Sequence, residues 1–452
     1  MDNKQYLYEK MPVGKAVISL AIPTVISQLI TVIYNMADTF FVGQLNDPAQ
    51  VAAATICMPP FILLTGIANL FGIGGSSLIS RCLGNGDREK AKRVASFCIW
   101  GASAVAFFYG LLFLLLKSSL LPILGAKETT YDYCFDYLFW TVTIGAVPTV
   151  LSACLAHLIR SEGLSKQAAF GIAMGGILNI FLDPLFIFGF KMNILGAAVA
   201  TVLSNIIAAI YFIVILYRRR NTTVITANPT HFSMKQGIPK EVCMVGLPNF
   251  ITILMGFSSN AVLNNLMASY SDAAIAGMGI AKKIDMLTFA VANGMTQGVI
   301  SLIAYNFASK DYARMRKSIR TTFLYTMILA VITTLFLFFC AVPVSKFFIN
   351  DVQTVTYGQH FLKILCLICP MQAVTMIVIT TFQSIGKKSQ PLFLSFLRKG
   401  TVDLPFMLLM NFLTGAMGVA WATPIAELSA CLISLLLFIP TYRKLCKLPA
   451  TI

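Results

Sequence analysis

The chain consists of long apolar runs that are separated by short polar connections. Twelve of these runs are long enough to cross the roughly 30 Å hydrocarbon layer of a membrane. Backbone polar groups in lipid must be paired within their own segment, so each run is predicted to be a helix. The pattern therefore predicts an all-α integral membrane protein. The predicted spans are residues 16–42, 51–79, 94–116, 131–158, 168–190, 194–217, 242–268, 275–303, 318–340, 357–384, 390–414 and 416–440.

A polar stretch near the midpoint divides these spans six and six. We predict an amino-terminal lobe over residues 1–217, a cytoplasmic linker over 218–241 and a carboxy-terminal lobe over 242–452. Shifting one half over the other shows an internal repeat whose register drifts only slowly along the chain. The matching pairs include Pro23 with Pro248, Asn35 with Asn260, Asn69 with Asn293, Gly74 with Gly298, Gly196 with Gly418 and Thr201 with Thr423.

An even number of spans in each repeat means that the two halves enter the membrane in the same orientation. Twelve transmembrane helices in two six-helix lobes, related by a pseudo-two-fold axis along the membrane normal, are therefore predicted. Such halves enclose a site near the midplane and expose it to each side in turn. The repeat thus indicates a transporter that works by alternating access.

The basic residues predict the orientation of the spans. With the amino terminus in the cytoplasm, 25 Lys and Arg residues fall in cytoplasmic connections and 4 in external ones. Because positive charge favours the cytoplasmic side, both termini are predicted to be cytoplasmic in a multi-pass protein of the cell membrane.

Composition supports this class and excludes others. Of the 452 residues, 57% are hydrophobic and 12% are charged, which leaves too little polar surface for a soluble globular protein. The net charge of +16 is explained by the cytoplasmic connections, so no nucleic-acid partner is predicted. Most of the 11 cysteines lie within apolar runs and are interpreted as small buried hydrophobic residues.

The chain lacks the motifs that an enzyme or a primary pump would need. The sequence has no Gly-x-x-x-x-Gly-Lys-Ser/Thr phosphate loop, no Gly-x-Ser-x-Gly elbow and no aspartate-rich prenyltransferase motif. Its three histidines are scattered, with no metal-binding spacing. We therefore predict a protein that is not an enzyme, has no cofactor, and draws its energy from an ion gradient.

Two aspartates within the predicted spans have only neutral polar neighbours. Tyr34 precedes Asp38 by one helical turn, and Asn179 precedes Asp183 by one turn. A charge within a membrane costs about 2.5–3.5 kcal/mol on insertion scales, so each carboxyl needs a reason to be there. One interpretation is that they bind and release a coupling ion; the alternative is that both stay protonated and join helices by hydrogen bonds.

Other intramembrane charges have an opposite charge on the same helix. Lys282 and Asp285 are three residues apart, and Lys399 and Asp403 are four apart, so each pair is expected to neutralise itself. The alternative is that these four residues line the cavity. Glu427 receives no assigned role. A pliable substrate cavity is predicted around a further set of residues, whose charged members are basic: Asn35, Asn260, Met255, Met286, Lys283 and Arg398.

Two prolines lie within the predicted spans that carry the aspartates. Pro23 and Pro184 each remove one intrahelical hydrogen bond. We expect helix bending at both positions as part of the transport cycle.

Several residues and short runs together are typical of one family of membrane proteins. They are Pro23, the runs Tyr34–Asp38 and Phe41–Gly43, Arg160–Gly163, Asn179–Pro184, and Gly196–Ala198 with Thr201. In these residues the chain resembles the multidrug and toxic compound extrusion (MATE) exporters, and within them the DinF- and MepA-like subgroup. The resemblance runs over almost the whole chain.

The resemblance implies export of bulky, often cationic and aromatic compounds in exchange for inward-moving protons or sodium ions. It also implies an ion-coupling network in the amino-terminal lobe, which maps onto Asp38, Asn179, Asp183 and Thr201, with Tyr34 beside it. A family asparagine in the fourth span is replaced near His157. The NorM-like branch carries an acidic residue in the seventh span, and this chain has none between Val242 and Ala268. We expect a monomer in the lipid bilayer.

A flippase for lipid-linked anionic precursors is the alternative function. Lys282, Lys283 and Arg398 in the carboxy-terminal lobe suggest a cationic cavity for such a substrate. Flippases of that kind usually have additional spans, whereas this chain has twelve candidates.

Overall fold

The computed structural model describes residues 5–45, 47–349 and 351–448. These residues form helices and connections, with no β-strand among them. They fall into two compact units, Ile26–Phe250 and Met1–Val25 together with Ile251–Ile452. The assignment of lobes to residues 1–217 and 242–452 stays a prediction about the sequence repeat.

The described residues of the first half of the chain contain eight α-helices. Three of the connections between or after them are π-helical or 3₁₀ turns, at Phe139–Ile144, Leu185–Gly189 and Pro229–His231. The helices are α1 (Val13–Gly43), α2 (Pro48–Ile56), α3 (Met58–Gly84), α4 (Arg88–Leu124), α5 (Glu128–Leu138), α6 (Ala146–Ser161), α7 (Ser165–Pro184) and α8 (Asn193–Arg218).

The second half, over the residues that the structure describes, contains nine α-helices. A π-helical turn, Leu397–Thr401, connects the last two. The helices are α9 (Ile238–Ala268), α10 (Asp272–Gly298), α11 (Ile300–Ala308), α12 (Tyr312–Phe339), α13 (Ala341–Phe348), α14 (Val352–Leu365), α15 (Ile368–Ser384), α16 (Ser389–Phe396) and α17 (Asp403–Cys446).

The helix lengths confirm the predicted twelve spans. Ten stretches of the described chain are long and apolar enough to cross a membrane, and α5 with α6 forms an eleventh that bends by 49°. The last stretch, Ser389–Cys446, has 58 residues, far more than the roughly 20 that one crossing needs. It is broken at Gly415, whose φ of 66° and ψ of −147° favour glycine, so it supplies two spans. The break falls between the predicted spans 390–414 and 416–440.

Helices α1 and α9 are each divided between the two compact units. The first part of α1, up to Val25, packs on α10 in the unit that contains Ile251–Ile452; there a Cβ atom at Gly298 would lie 2.7 Å from Ala21 Cα. The first part of α9, up to Phe250, packs on α3 in the other unit.

Helix α1 continues through Pro23 without interruption, whereas α7 passes into the π-helical turn directly after Pro184. Bending of either helix during transport stays a prediction.

The crossing of α3 and α9 depends on glycine. A Cβ atom at Gly246 would lie 1.8 Å from the carbonyl oxygen of Leu70, and one at Gly74 would lie 2.0 Å from that of Val242. Because both obstacles are backbone atoms, a side chain at either position forces the two helices apart.

Replacing Gly246 by alanine is therefore expected to destabilise the protein by about 1–3 kcal/mol or more, as overpacking of a dense interior does. Gly256→Ala is the matched control, since Gly256 lies in the same helix with no atom of the described chain within 4 Å of its Cβ position. Thermal unfolding of both variants in detergent provides the measurement. Equal melting temperatures for the two variants would contradict the close helix crossing.

The connection between α8 and α9 is fixed to the surface of its own unit. Glu162 accepts hydrogen bonds from the Thr223 hydroxyl at 2.7 Å and the Val224 amide at 2.8 Å. Trp100 Nε1 donates to the carbonyl of Ala227 at 2.9 Å, and the Ser96 hydroxyl donates to that of Asn228 at 3.1 Å. The predicted linker therefore includes an ordered segment that is hydrogen-bonded to α4 and to the residue after the end of α6.

The cysteines behave as the composition predicted. All eleven are free, eight are buried, and Cys446 is exposed. Cys366 and Cys369 are both buried at the join between α14 and α15.

Candidate functional site

Helix α7 places two of the predicted site residues on one buried face. Asn179 and Asp183 lie one helical turn apart, and both side chains are almost completely shielded from solvent. The Asn179 amide nitrogen donates to Asp183 Oδ1 at 3.0 Å. Helix α7 ends at Pro184, which cannot donate a backbone hydrogen bond, and the π-helical turn Leu185–Gly189 follows it, so the regular helix ends directly beside Asp183.

Helix α8 brings Thr201 to the same place. The Asn179 amide nitrogen also lies 3.4 Å from Thr201 Oγ1, a longer contact than the one to Asp183. Thr201 is buried, and α7 and α8 pack along each other. One amide group thus holds a carboxyl from its own helix and a hydroxyl from the next.

Helix α1 adds Tyr34 and Asp38, one turn apart. Tyr34 packs against Gly176 of α7, where a Cβ atom would come within 2.9 Å of the tyrosine ring. Both Tyr34 and Asp38 lie within electrostatic range of Asp183. The predicted residues Tyr34, Asp38, Asn179, Asp183 and Thr201 are therefore brought together within the Ile26–Phe250 unit, and we call this set the carboxyl site.

One member of this environment was missed from the sequence. Tyr137 of α5 is buried and lies within electrostatic range of Tyr34, Asp38 and Asp183. Its position in a mixed run of aromatic and acidic residues gave no signal, because α5 is amphipathic and contains three other tyrosine or phenylalanine residues.

The carboxyl site has unused hydrogen-bonding capacity. Asp38 Oδ1, Asn179 Oδ1 and Asp183 Oδ2 are buried without a hydrogen-bond partner in the described part of the chain. Neither carboxyl is paired with a basic side chain among those residues. A bare carboxylate in such surroundings is costly, so the site suits a small exchangeable cation, either a proton or a sodium ion with oxygen ligands.

His157 belongs to a different network of the same unit. Its Nε2 lies 3.2 Å from Asn69 Oδ1, and its Nδ1 lies 3.5 Å from Arg160 Nη1. Arg160, which is also buried, donates to the Ser27 hydroxyl at 3.2 Å. Among the hydrogen bonds of the described residues, none joins His157 to Asn179 or Asp183.

The second compact unit contains a cluster of buried charges. Arg398 and Glu427 are each 1% exposed, and Nε of the arginine lies 2.5 Å from the carboxylate. Lys399 lies 3.7 Å from Glu427 and 3.8 Å from Asp403. We call these four residues the ion cluster. The predicted Lys399–Asp403 pair is thus formed, whereas Lys282 and Asp285 form no ion pair among the described residues.

The predicted substrate-cavity residues are spread over both units. Arg398 is fully buried in the ion cluster, and Met255 packs against Gly400, where a Cβ atom would lie 3.1 Å from its sulfur. Lys283, Met286 and Asn260 are exposed, and Asn35 is half-buried in the unit of the carboxyl site. Their role in binding a substrate stays a prediction.

Comparison with known proteins gives consistent matches. The MatE family model matches residues 23–185 and 248–409. The multidrug export protein MepA of Staphylococcus aureus (strain MRSA252) is 32% identical over 443 residues, which cover 98% of this chain and 97% of MepA. The crystal structure of a MATE protein in complex with MaL6 has a TM-score of 0.92 at 24% identity, covering 99% of this chain and 100% of that one. A mutant of the Vibrio cholerae MATE transporter VcmN has a TM-score of 0.89 at 21% identity, covering 96% and 97%.

Twelve membrane-spanning helices that carry buried carboxyls are the architecture of a membrane transporter. The chain belongs to the MatE family, that is, to the MATE transporters. The two matches to the family model begin at Pro23 and Pro248, the two prolines that the predicted internal repeat pairs with each other.

Proposed function

We propose that this transporter is a secondary active multidrug exporter of the cell membrane. It moves bulky, often cationic and aromatic compounds out of the cell by alternating access, in exchange for inward-moving protons or sodium ions. Protons are the first candidate for the coupling ion. In this proposal both termini lie in the cytoplasm, and the protein works as a monomer.

The carboxyl site is the observation that carries this proposal. Asp183 is fully buried at the end of α7, and one of its carboxyl oxygens has no hydrogen-bond partner among the described residues. Asp38 supplies a second carboxyl within electrostatic range. Two neighbouring carboxylates without a basic partner repel each other. Binding of one cation between them removes this repulsion, so the cation-bound state is favoured. Such a site can load an ion on one side of the membrane and release it on the other.

Two further observations support ion-driven transport and drug export, respectively. The sequence has no phosphate-binding loop, so an ion gradient is the natural source of energy. The relative with 32% identity carries the name multidrug export protein. The alternative, a flippase for anionic lipid precursors, gains no support from Arg398, since Glu427 already neutralises that guanidinium.

The proposal is tested by uptake of a fluorescent organic cation, ethidium, into inverted membrane vesicles. We expect uptake when the vesicle interior is acidic, with a smaller response to a sodium gradient, because a single carboxyl oxygen binds a proton whereas a sodium ion needs several oxygen ligands at once. Vesicles without the protein are the control. Uptake that is indifferent to both gradients would contradict ion-coupled export.

A further inference from the structure

Two residues of the ion cluster, Lys399 and Asp403, occupy positions in the second repeat that Asn179 and Asp183 of the carboxyl site occupy in the first. Leu182-Asp183-Pro184-Leu185-Phe186 corresponds to Val402-Asp403-Leu404-Pro405-Phe406 when the two halves are aligned. This alignment pairs Asp183 with Asp403 and Asn179 with Lys399. Each carboxyl therefore follows its partner by one helical turn, and in each repeat the two side chains are in contact or near contact.

The other helices of each repeat extend the correspondence. In the register of the sixth span, Thr201 matches Thr423 and Asn205 matches Glu427. In the register of the first span, which pairs Pro23 with Pro248, Tyr34 matches Ser259. The Ser259 hydroxyl donates to Asp403 at 2.6 Å. In each repeat, therefore, the first, fifth and sixth of the six predicted spans contribute polar groups around an aspartate.

The two sites differ in the origin of their positive charge. The carboxyl site contains two carboxyls, and none of the ion pairs of the described residues brings a basic side chain to them. The ion cluster contains two carboxyls, and Lys399 lies within 4 Å of both. Its ammonium therefore stands at the position where the first repeat has only the neutral Asn179. Arg398 adds a second fixed cation, held by Glu427 and by the face of Phe289 at 5.6 Å.

The ion cluster also retains oxygens suited to binding a cation. Asp403 Oδ1, Glu427 Oε2 and Thr423 Oγ1 are buried and have no hydrogen-bond partner among the described residues, and all three residues are at most 2% exposed. Thr423 and Glu427 are one helical turn apart and share one face of α17. These oxygens are hard ligands. They can coordinate an alkali-metal ion, bind a proton or accept a hydrogen bond from an ammonium group.

We infer that the second unit contains a cation site whose ligand is the chain's own Lys399 ammonium. Together with Arg398, and with Lys282 within electrostatic range, the tethered cation keeps Asp403 and Glu427 neutralised throughout the transport cycle. Exchange with ions from solution is therefore confined to the carboxyl site, so each cycle uses one ion-exchanging site and not two. This last step rests on the proposed function, which assigns the exchangeable ion to Asp38 and Asp183.

Replacing Lys399 by asparagine, the residue that stands in the first repeat, is expected to open this site to sodium. The test measures equilibrium binding of radioactive sodium ions to the full-length protein, purified in detergent at alkaline pH. The background carries Asp38→Asn and Asp183→Asn, which removes binding at the carboxyl site. We expect no bound sodium in this background and about one bound ion per protein after Lys399→Asn is added.

Matched variants separate the possible outcomes. Lys399→Arg keeps a tethered cation and should bind no sodium, and adding Asp403→Asn to Lys399→Asn should abolish the new binding. A folded Lys399→Asn protein, judged by its size-exclusion profile, that gains no sodium would overturn the inference. If Lys399→Asn does not fold, Lys399→Gln provides the same measurement with a side chain closer in length. Sodium binding that persists in the background without Lys399→Asn would also overturn the inference, because it would show exchange with ions from solution outside the carboxyl site. Ethidium uptake that is indifferent to both gradients would instead count against the proposed function.

Discussion

Vesicles that contain the Asp183→Asn variant are expected to show no gradient-driven uptake, a loss of at least about 10-fold down to the level of protein-free vesicles. Asparagine has nearly the same shape as aspartate and can still accept the 3.0 Å hydrogen bond from Asn179. It cannot lose a proton or neutralise a cation. The folded structure should therefore persist while the exchangeable ion is lost.

Asp136→Asn is the matched control for this substitution. Asp136 lies in the same compact unit, on α5, but its side chain is exposed. Its neutralisation should leave uptake unchanged. Asp38→Asn should reproduce the Asp183 phenotype, because each carboxyl lies within electrostatic range of the other. Normal ethidium efflux by a well-expressed Asp183→Asn protein would refute the assignment of the coupling ion.

The spans could be predicted from the sequence because the membrane imposes a minimum length of apolar chain. Their ends could not be predicted equally well. Helix α4 runs from Arg88 to Leu124, whereas the prediction covered 94–116. The additional first turns are charged and lie outside the apolar run, and their start is set by Asp87, which accepts a hydrogen bond from the Lys90 amide at 2.9 Å. The hydropathy of the sequence does not indicate such an N-terminal cap.

The carboxyl site could be predicted for a different reason. Tyr34 and Asp38, like Asn179 and Asp183, are one helical turn apart, so helical geometry alone places each pair on one face. The convergence of these two faces with Thr201 came from the family resemblance and not from spacing. Tyr137 was missed, since burial beside a carboxyl leaves no mark in the local sequence.

The ion cluster shows the limit of arguments within one helix. Lys399 and Asp403 form the ion pair that their spacing predicts. Lys282 lies within electrostatic range of Asp285 but also of Asp403 and Glu427, and it forms no direct ion pair among the described residues. The dominant contact joins Arg398 to Glu427, which are 29 residues apart on either side of the break at Gly415. Contacts between helices depend on how the helix after the break packs against the helix before it. The spacing of residues along one helix does not determine this packing.

The ion cluster also predicts an asymmetric cost when its members are removed. Glu427→Gln is expected to lower the free energy of unfolding by about 3–5 kcal/mol, since it leaves the buried Arg398 without a carboxylate and Lys399 with only one. Arg398→Gln should cost less, because Lys399 lies 3.7 Å from Glu427 and can still neutralise it. Thermal and denaturant unfolding in detergent would measure both variants.

The double variant Arg398→Gln with Glu427→Gln should be more stable than Glu427→Gln alone, because removing both charges leaves no unpaired guanidinium. An exposed ion pair provides the comparison. Lys92 lies 2.7 Å from Glu89 with 32% and 61% of the two side chains exposed, so Glu89→Gln should change stability by less than about 1 kcal/mol. If Arg398→Gln proves as costly as Glu427→Gln, then Lys399 does not share the carboxylate, and the description of the cluster as one coupled network is wrong.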